Sequence, residues 1–403
     1  MKVGNACGFW GDDIKAPRRL LEQQVDLDYL TLDYLAEVSL SIMAMQQEKN
    51  PELGYASDFL EVLKSILPIL GQCKVITNAG GLNPLSLARA CKEMAPHLKI
   101  GVITGDNVLD QINTPALDLM TANAYIGARP VAIALDLGAD IVIGGRIADP
   151  SLTLGPCLYH YRWKHDDYDK MAGGTIAGHL IECGTQVTGG IFTDWQSILE
   201  PENIGYPIAE IAEDGSFVIT KPEGTGGLVS EPTIKEQLLY EIGDPARYKS
   251  PDVTVSFLGL DVKELASHRV HVQGALGFSP PFTLKVSATY KAGYKAEGHL
   301  VFFGDNALKK AQRTGEIIFS KVKLEKTLIE TFGTPLECWL RLSAFDKNKE
   351  PLEAFVKEIA PLVTSGPQGT TGYFAGRPEV RKVFGFYPTL INANAIKINI
   401  EIL

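Results

Sequence analysis

The stretch Lys74-Val75-Ile76-Thr77-Asn78-Ala79-Gly80-Gly81-Leu82-Asn83-Pro84 decides the fold. A short, wholly apolar run breaks off at a polar turn with two glycines, and Pro84 then opens a helical pattern over Pro84–Glu93. The same strand–turn–helix phrase recurs on both sides. Lys2–Ala6 ends at Gly8-Phe9-Trp10-Gly11-Asp12, and Tyr29–Tyr34 runs into a helical pattern at Leu35–Gln47. Asp58–Leu70 carries apolar residues at helical spacing. Lys99–Thr104 ends at Gly105-Asp106-Asn107, Ala128–Leu137 is a helix stopped by Gly138, and Asp140–Ile143 ends at Gly144-Gly145-Arg146. Short strands separated by helices pair in parallel through crossover connections. Residues 1–205 are therefore expected to form an α/β domain around a mainly parallel sheet. An open doubly wound sheet is preferred, and a barrel is the runner-up because only five strands are legible where a closed barrel needs eight.

Beyond residue 205 the pattern changes. Pro207–Ala212 and Ser216–Thr220 flank a D-G turn and read as a hairpin. Val253–Leu260, Arg269–Leu276, Phe282–Lys291, His299–Phe303 and Trp339–Ser343 read as strands. Thr233–Ile242, Leu308–Thr331 and Leu352–Leu362 read as helices, with further strands at Val380–Phe386 and Ala395–Ile402. Residues 206–403 are thus expected to be an α+β domain containing the Gly-rich loop 221–230.

Composition narrows the function. The 403 residues carry 38 Lys and Arg against 48 Asp and Glu, a net charge of −10. An acidic chain with no basic block argues against nucleic acid as a partner. No apolar run approaches the ~20 residues that span a bilayer. Cys7, Cys73, Cys91, Cys157, Cys183 and Cys338 stand singly, with no C-x-x-C pair, so zinc ribbons and dithiol motifs are excluded. Free thiols and an N-terminus that runs straight into a strand imply a cytoplasmic protein.

Ligands of α/β sheets bind beyond the carboxyl ends of the strands. Five such ends carry polar turns: Asn5 with Trp10 and Asp12, Asp33 with Glu37, Asn78 with Gly80 and Gly81, Asp106 with Asn107, and Arg146 with Asp149. Asn, Asp and Gly also make turns for purely conformational reasons. Their convergence on one rim points instead to a site. Clustered carboxylates raise one another's pKa, leaving one as an acid and another as a base. The same oxygens could hold a divalent cation. Arg146 is either a clamp for a substrate carboxylate or the neutralising partner of Asp149 or Asp140.

Two further constellations stand out. On a helix over Ala177–Cys183, His179 and Glu182 lie three residues apart and Cys183 shares the face of His179. A base paired with a carboxylate is a proton shuttle; the alternative is a histidine and cysteine of the core. The loop Lys221-Pro222-Glu223-Gly224-Thr225-Gly226-Gly227 precedes a helix and could cradle a phosphate of coenzyme A or a nucleotide on Lys221, Gly224, Gly226 and Gly227. Neither a P-loop nor G-x-G-x-x-G is present, and the plainer reading is a connecting loop.

Gly4-Asn5-Ala6-Cys7-Gly8-Phe9-Trp10-Gly11-Asp12 resembles the opening of the acyclic terpene utilisation AtuA-like family. Asp28–Glu37, Thr77–Pro84, Gly105-Asp106, Asn123–Gly127, Gly144–Asp149, Gly178–Gly184, Thr188–Gly190, Gly224–Gly227 and Glu236–Glu241 follow in the family's order and spacing. The resemblance covers nearly the whole chain. It implies a place beside the acyl-CoA enzymes encoded with it in bacterial operons for citronellol and geraniol breakdown. Many relatives carry an additional ferredoxin-like module of about 100 residues at the C-terminus. This chain ends soon after Tyr387-Pro388-Thr389-Leu390, so the module is expected to be absent and a small partner subunit to supply it.

Two functions follow as expectations. The first is an enzyme of carboxylic acid or acyl-CoA catabolism, a lyase or hydratase acting next to a carbonyl. In it His179, Asp12, Asp33 or Asp106 removes a proton, a second acid such as Glu182 protonates the leaving hydroxyl, and Arg146 or the Gly-rich loop holds the acid end or the phosphates. The second is a non-catalytic subunit that binds a ligand or scaffolds a CoA-enzyme complex. A coenzyme A thioester as substrate, a divalent metal and a homo-oligomer are all compatible with both.

Overall fold

The computed structural model describes residues 1–24, 26–371 and 376–403. They form two compact units. The first comprises residues 1–114, 120–289 and 386–403, and the second residues 115–119 and 290–385.

A ten-stranded sheet organises the first unit. Its spatial order is Asp261–Ala266, Arg269–Gln273, Phe217–Thr220, Ile208–Ile211, Lys2–Asn5, Tyr29–Leu32, Lys74–Thr77, Ile141–Gly144, Ile100–Thr104, Asn399–Ile402. The five strands expected from the sequence are contiguous in it and mutually parallel. The strands that flank them are antiparallel. The expectation of a mainly parallel sheet therefore holds for that central block, and the sheet as a whole is mixed. Its order begins and ends on edge strands, and no barrel closes.

Parallel strands must be covered on both faces, and their residues alternate accordingly. Val3, Tyr29, Ile76, Ile103 and Val142 pack on one side with Val131, Leu135, Leu152, Ile176 and Leu180. These come from helices Arg129–Asp136, Ser151–Tyr161 and Tyr168–Glu182. Leu30, Leu32, Val75, Val102 and Ile141 pack on the other with Leu20, Phe59, Val62, Leu87 and Cys91. Those belong to helices Ala16–Gln23, Asp58–Ile66 and Pro84–Met94.

The division expected at residues 205 and 206 falls inside this unit. The hairpin Ile208–Ile211/Phe217–Thr220 pairs directly with Lys2–Asn5, turning at Gly215 with φ 88°, and so extends the first sheet.

The second unit is built around the long strand Thr283–Phe303, from Tyr290 onward. The two strands expected at Phe282–Lys291 and His299–Phe303 are one, because the intervening Tyr294–Gly298 pairs continuously with Glu337–Asp346. Helix Ala307–Lys321 ends before the expected Thr331, and Lys326–Gly333 is a strand instead. Its Thr, Ile and Phe residues suit a half-buried sheet surface better than a helix. With helix Lys349–Ile359 and strand Thr370–Thr371 the connectivity is β-α-β-β-α-β. All pairings are antiparallel, in the order Lys326–Gly333, Glu337–Asp346, Thr283–Phe303, Thr370–Thr371. Leu300, Phe302, Ile318, Leu340, Leu342 and Phe355 form its core. A unit of ferredoxin-like connectivity is therefore built into the chain itself. Among the described residues no helix is long and apolar enough to cross a membrane.

Candidate functional site

A cavity of about 650 Å³ lies within the first unit. Its floor is made by residues that follow the carboxyl ends of three parallel strands: Gly8 and Asp12, Asp33, and Arg146 with Asp149. The end of helix Tyr168–Glu182 adds His179 and Glu182. Gly178 lets that helix approach closely, since a Cβ there would lie 2.5 Å from the main-chain oxygen of Pro150.

The His179–Glu182 pair carries the chemistry. His179 is 2% exposed. Its Nε2 sits 3.1 Å from the main-chain oxygen of Gln237, which can only accept, so Nε2 bears a hydrogen. Its Nδ1 faces Glu182 Oε1 at 3.2 Å, and a single proton must lie between them. Burial lowers the His179 pKa to about 4. Burial, and next the charge of Asp149, push Glu182 well above the usual carboxylate range. Both shifts favour the neutral forms, with Glu182 as the donor and His179 Nδ1 as the acceptor. The neighbouring carboxylates Glu241 and Asp149 pull the His179 pKa the other way, and burial prevails.

Arg146 is equally buried. Its guanidinium lies 3.9 Å over the ring centre of Tyr125. It donates to Asp149 Oδ1 at 2.5 Å and to the main-chain oxygen of Ile147 at 3.2 Å. Stacking and ion pairing together fix its plane. The neutralising role towards Asp149 is thus present; Asp140 instead lies near Lys74, at 3.5 Å. Beside it Asp33 is buried, and desolvation followed by Asp149 raises its pKa well above normal, while Arg146 opposes the rise. Tyr125 and Lys285 both donate to Glu37 Oε1 at 3.1 Å and bring it to the same cavity. Arg146 Nε and Glu182 Oε2 are buried without a protein partner.

The structure brings together Asp12, Asp33, Glu37, Arg146, Asp149, His179 and Glu182, and leaves the other expected rim residues outside the lining. Asn5, Asn78 and Asp106 lie one hydrogen bond behind it. The Asn5 amide donates to the main-chain oxygens of Ile181 and Glu182. The Asn78 amide donates to Asp33 Oδ1 at 2.7 Å, and Asp106 accepts from the Arg146 main-chain nitrogen at 2.8 Å. Asn78 thus serves the buried Asp33 carboxylate, while Asn5 and Asp106 brace the backbone that carries Glu182 and Arg146. Asp106 is thus a support, with burial raising its pKa. Trp10 packs against the core beneath the first turn. Gly80 permits close packing, because a Cβ there would meet the Gly144 oxygen at 2.6 Å, and Gly81 adopts φ 50°.

Asp12 lines the cavity, but its carboxylate is occupied. It accepts from Gly8 N at 2.9 Å, Asp13 N at 2.7 Å and the Tyr206 hydroxyl at 3.1 Å. Lys221 turns into its own loop, donating to the Thr225 main-chain oxygen at 2.5 Å. Gly224, Gly226 and Gly227 shape that loop, with φ 72° at Gly224 and 88° at Gly227, and none of them reaches the cavity. The loop therefore satisfies its own cation, which does not fit a phosphate cradle. Among the described residues no three His, Cys, Asp or Glu side chains converge closely enough to hold a metal ion.

Tyr125, Lys285, Tyr248 and Glu241 complete the walls. Of these Tyr125 and Glu241 stood in recognisable motifs, Asn123–Gly127 and Glu236–Glu241, and Tyr248 and Lys285 come from segments with no local signal. The model of the family described as acyclic terpene utilisation family protein AtuA matches residues 1–402. No curated protein matches the chain.

Proposed function

Since this chain belongs to the acyclic terpene utilisation AtuA family, we propose that it is an enzyme of carboxylic acid or acyl-CoA catabolism that adds or removes water next to a carbonyl. The observation that supports this reading is the contact of Glu182 Oε1 with His179 Nδ1, 3.2 Å apart at the floor of the cavity. In the eliminating direction, the Asp149 carboxylate takes the proton on the carbon beside the carbonyl. The electron pair moves into the carbon–oxygen system, where the Arg146 guanidinium stabilises the developing oxyanion. Its return forms the carbon–carbon double bond and expels hydroxide, which takes the Glu182 proton and leaves as water. His179 positions Glu182 and keeps it neutral until substrate arrives. Asp12 is occupied by three donors and Asp106 lies outside the cavity lining, which is why the base is assigned to Asp149.

A non-catalytic binding or scaffolding subunit has no use for a buried proton of this kind. The test is isotopic. The protein is incubated in H₂¹⁸O with 3-hydroxybutanoate, 2-butenoate, their 3-methyl homologues and the corresponding N-acetylcysteamine thioesters. Incorporation of ¹⁸O at the carbon beyond the α position, lost in Glu182→Gln, supports the reading. No incorporation into any of them, or full incorporation by the Glu182→Gln variant, overturns it.

A further inference from the structure

The cavity is polar at its floor and apolar at its mouth. Phe9, Ile191 and Leu390 line it, yet remain 54%, 75% and 64% exposed. They come from three separate segments, so their meeting is a property of the fold. Scattered exposed apolar side chains need no explanation, whereas convergence at the opening of a cavity does. Ile191 adds a second, independent sign. Its φ is 53°, a conformation that a branched side chain tolerates poorly, while the neighbouring Gly189 and Gly190 have no such difficulty. A large apolar side chain is thus held in a strained conformation and left facing water.

We infer that the cavity takes an amphiphile head first, with its oxygen-bearing end down against Arg146 and Glu182 and its hydrocarbon chain leaving over Phe9, Ile191 and Leu390. This rests on the reading of the cavity as the substrate site and adds the class of molecule it selects. Bare Arg146 Nε and Glu182 Oε2 suit an oxygenated head. The three exposed apolar side chains suit a chain that, once bound, withdraws them from water.

Titration calorimetry tests this with two series, the saturated acids from butanoate to decanoate and their N-acetylcysteamine thioesters. In the wild-type protein affinity is expected to rise about threefold per added methylene in at least one series. The series that rises identifies the head group as free acid or thioester. Ile191→Gly relieves the backbone strain, so it is expected to melt at the same temperature or higher while flattening the rise. Leu390→Ser is expected to flatten it too. A flat wild-type series, or an unchanged rise in both variants, overturns the inference. So does a change confined to the mass in solution, which would make the mouth an interface between copies. Glu182→Gln separates the two claims. A chain-length rise without ¹⁸O incorporation removes the hydration chemistry and keeps the amphiphile, and incorporation without the rise does the reverse.

Discussion

Asn5 holds the main-chain oxygen of Glu182 at 2.9 Å, and with the same amide nitrogen it holds that of Ile181 at 2.6 Å. The end of the first strand is thereby tied to the last turn of the helix that presents the acid. Asn5→Ala strands two carbonyls in a buried site. The expected loss is roughly 2–4 kcal/mol of stability in urea unfolding. Exchange of ¹⁸O should fall as well, because the Glu182 carboxyl loses its anchor. A variant with wild-type stability would show the tie to be dispensable.

The two members of the proton pair leave opposite signatures in pH. His179 has a folded pKa lowered by burial from 6.5 to about 4. The stability linked to it is present above pH 6.5 and is lost as the pH falls towards 4, by about 3 kcal/mol in all. Glu182 has a folded pKa raised by burial above its unfolded value. Its contribution is present below the ordinary carboxylate pKa and declines as the pH rises towards the raised one. Urea midpoints between pH 4.5 and 8 should show His179→Gln lacking the acid-side loss and Glu182→Gln lacking the decline on the other side. A His179→Gln profile parallel to wild type over pH 4.5–6.5 contradicts the assignment.

Removing the guanidinium while keeping its bulk isolates its charge. Arg146→Met leaves Asp149 without its partner beside two further acids, and it also deprives Asp33 of the one cation that restrains its pKa. The expected cost is roughly 2–4 kcal/mol, since Asp149 retains some contact with solvent. Arg146→Met combined with Asp149→Asn should recover part of that cost. Thermal unfolding of the single and double variants measures both, and strict additivity would mean that the pair is not coupled.

Helix packing offers a purely steric test. A Cβ at Gly178 would stand 2.5 Å from the Pro150 oxygen and 2.9 Å from its Cα, and backbone cannot move aside as a side-chain tip can. Gly178→Ala is expected to cost about 1–3 kcal/mol and to push His179 and Glu182 away from the Asp149 turn, lowering turnover more than binding. Calorimetric unfolding together with kcat and KM separates these effects.

The central strands were legible because strands buried on both faces read as unbroken apolar runs such as Val75-Ile76 and Ile141-Val142-Ile143. The edge strand Asp261–Ala266 was not legible, since its residues are largely exposed and Asp-Val-Lys-Glu-Leu-Ala carries no strand pattern. Strand ends drew attention to Asp33 and Arg146, which line the cavity, and to Asn78 and Asp106, which lie one hydrogen bond behind it. Position along a turn does not reveal which side chain faces the ligand and which braces a neighbour. Asn78 and Asp33 therefore looked alike, although one supports the other. Lys285 and Tyr248 reach the cavity only through tertiary folding, and nothing near them in the chain announces it.

Strand Asn399–Ile402 runs antiparallel to Ile100–Thr104, and Leu390, shortly before it, stands at the cavity mouth. Between these two halves of one sheet the chain makes a complete second unit. On the ribosome, that order imposes a delay. A growing chain that has already paired Ile100–Thr104 with Ile141–Gly144 must keep the outer edge of that apolar strand unpaired while the whole insertion is translated. The insertion has its own hydrophobic core and can fold during that interval, whereas the ligand site cannot be finished until the closing strand arrives. Premature termination anywhere in the insertion would therefore release a sticky, siteless fragment rather than a weakened enzyme.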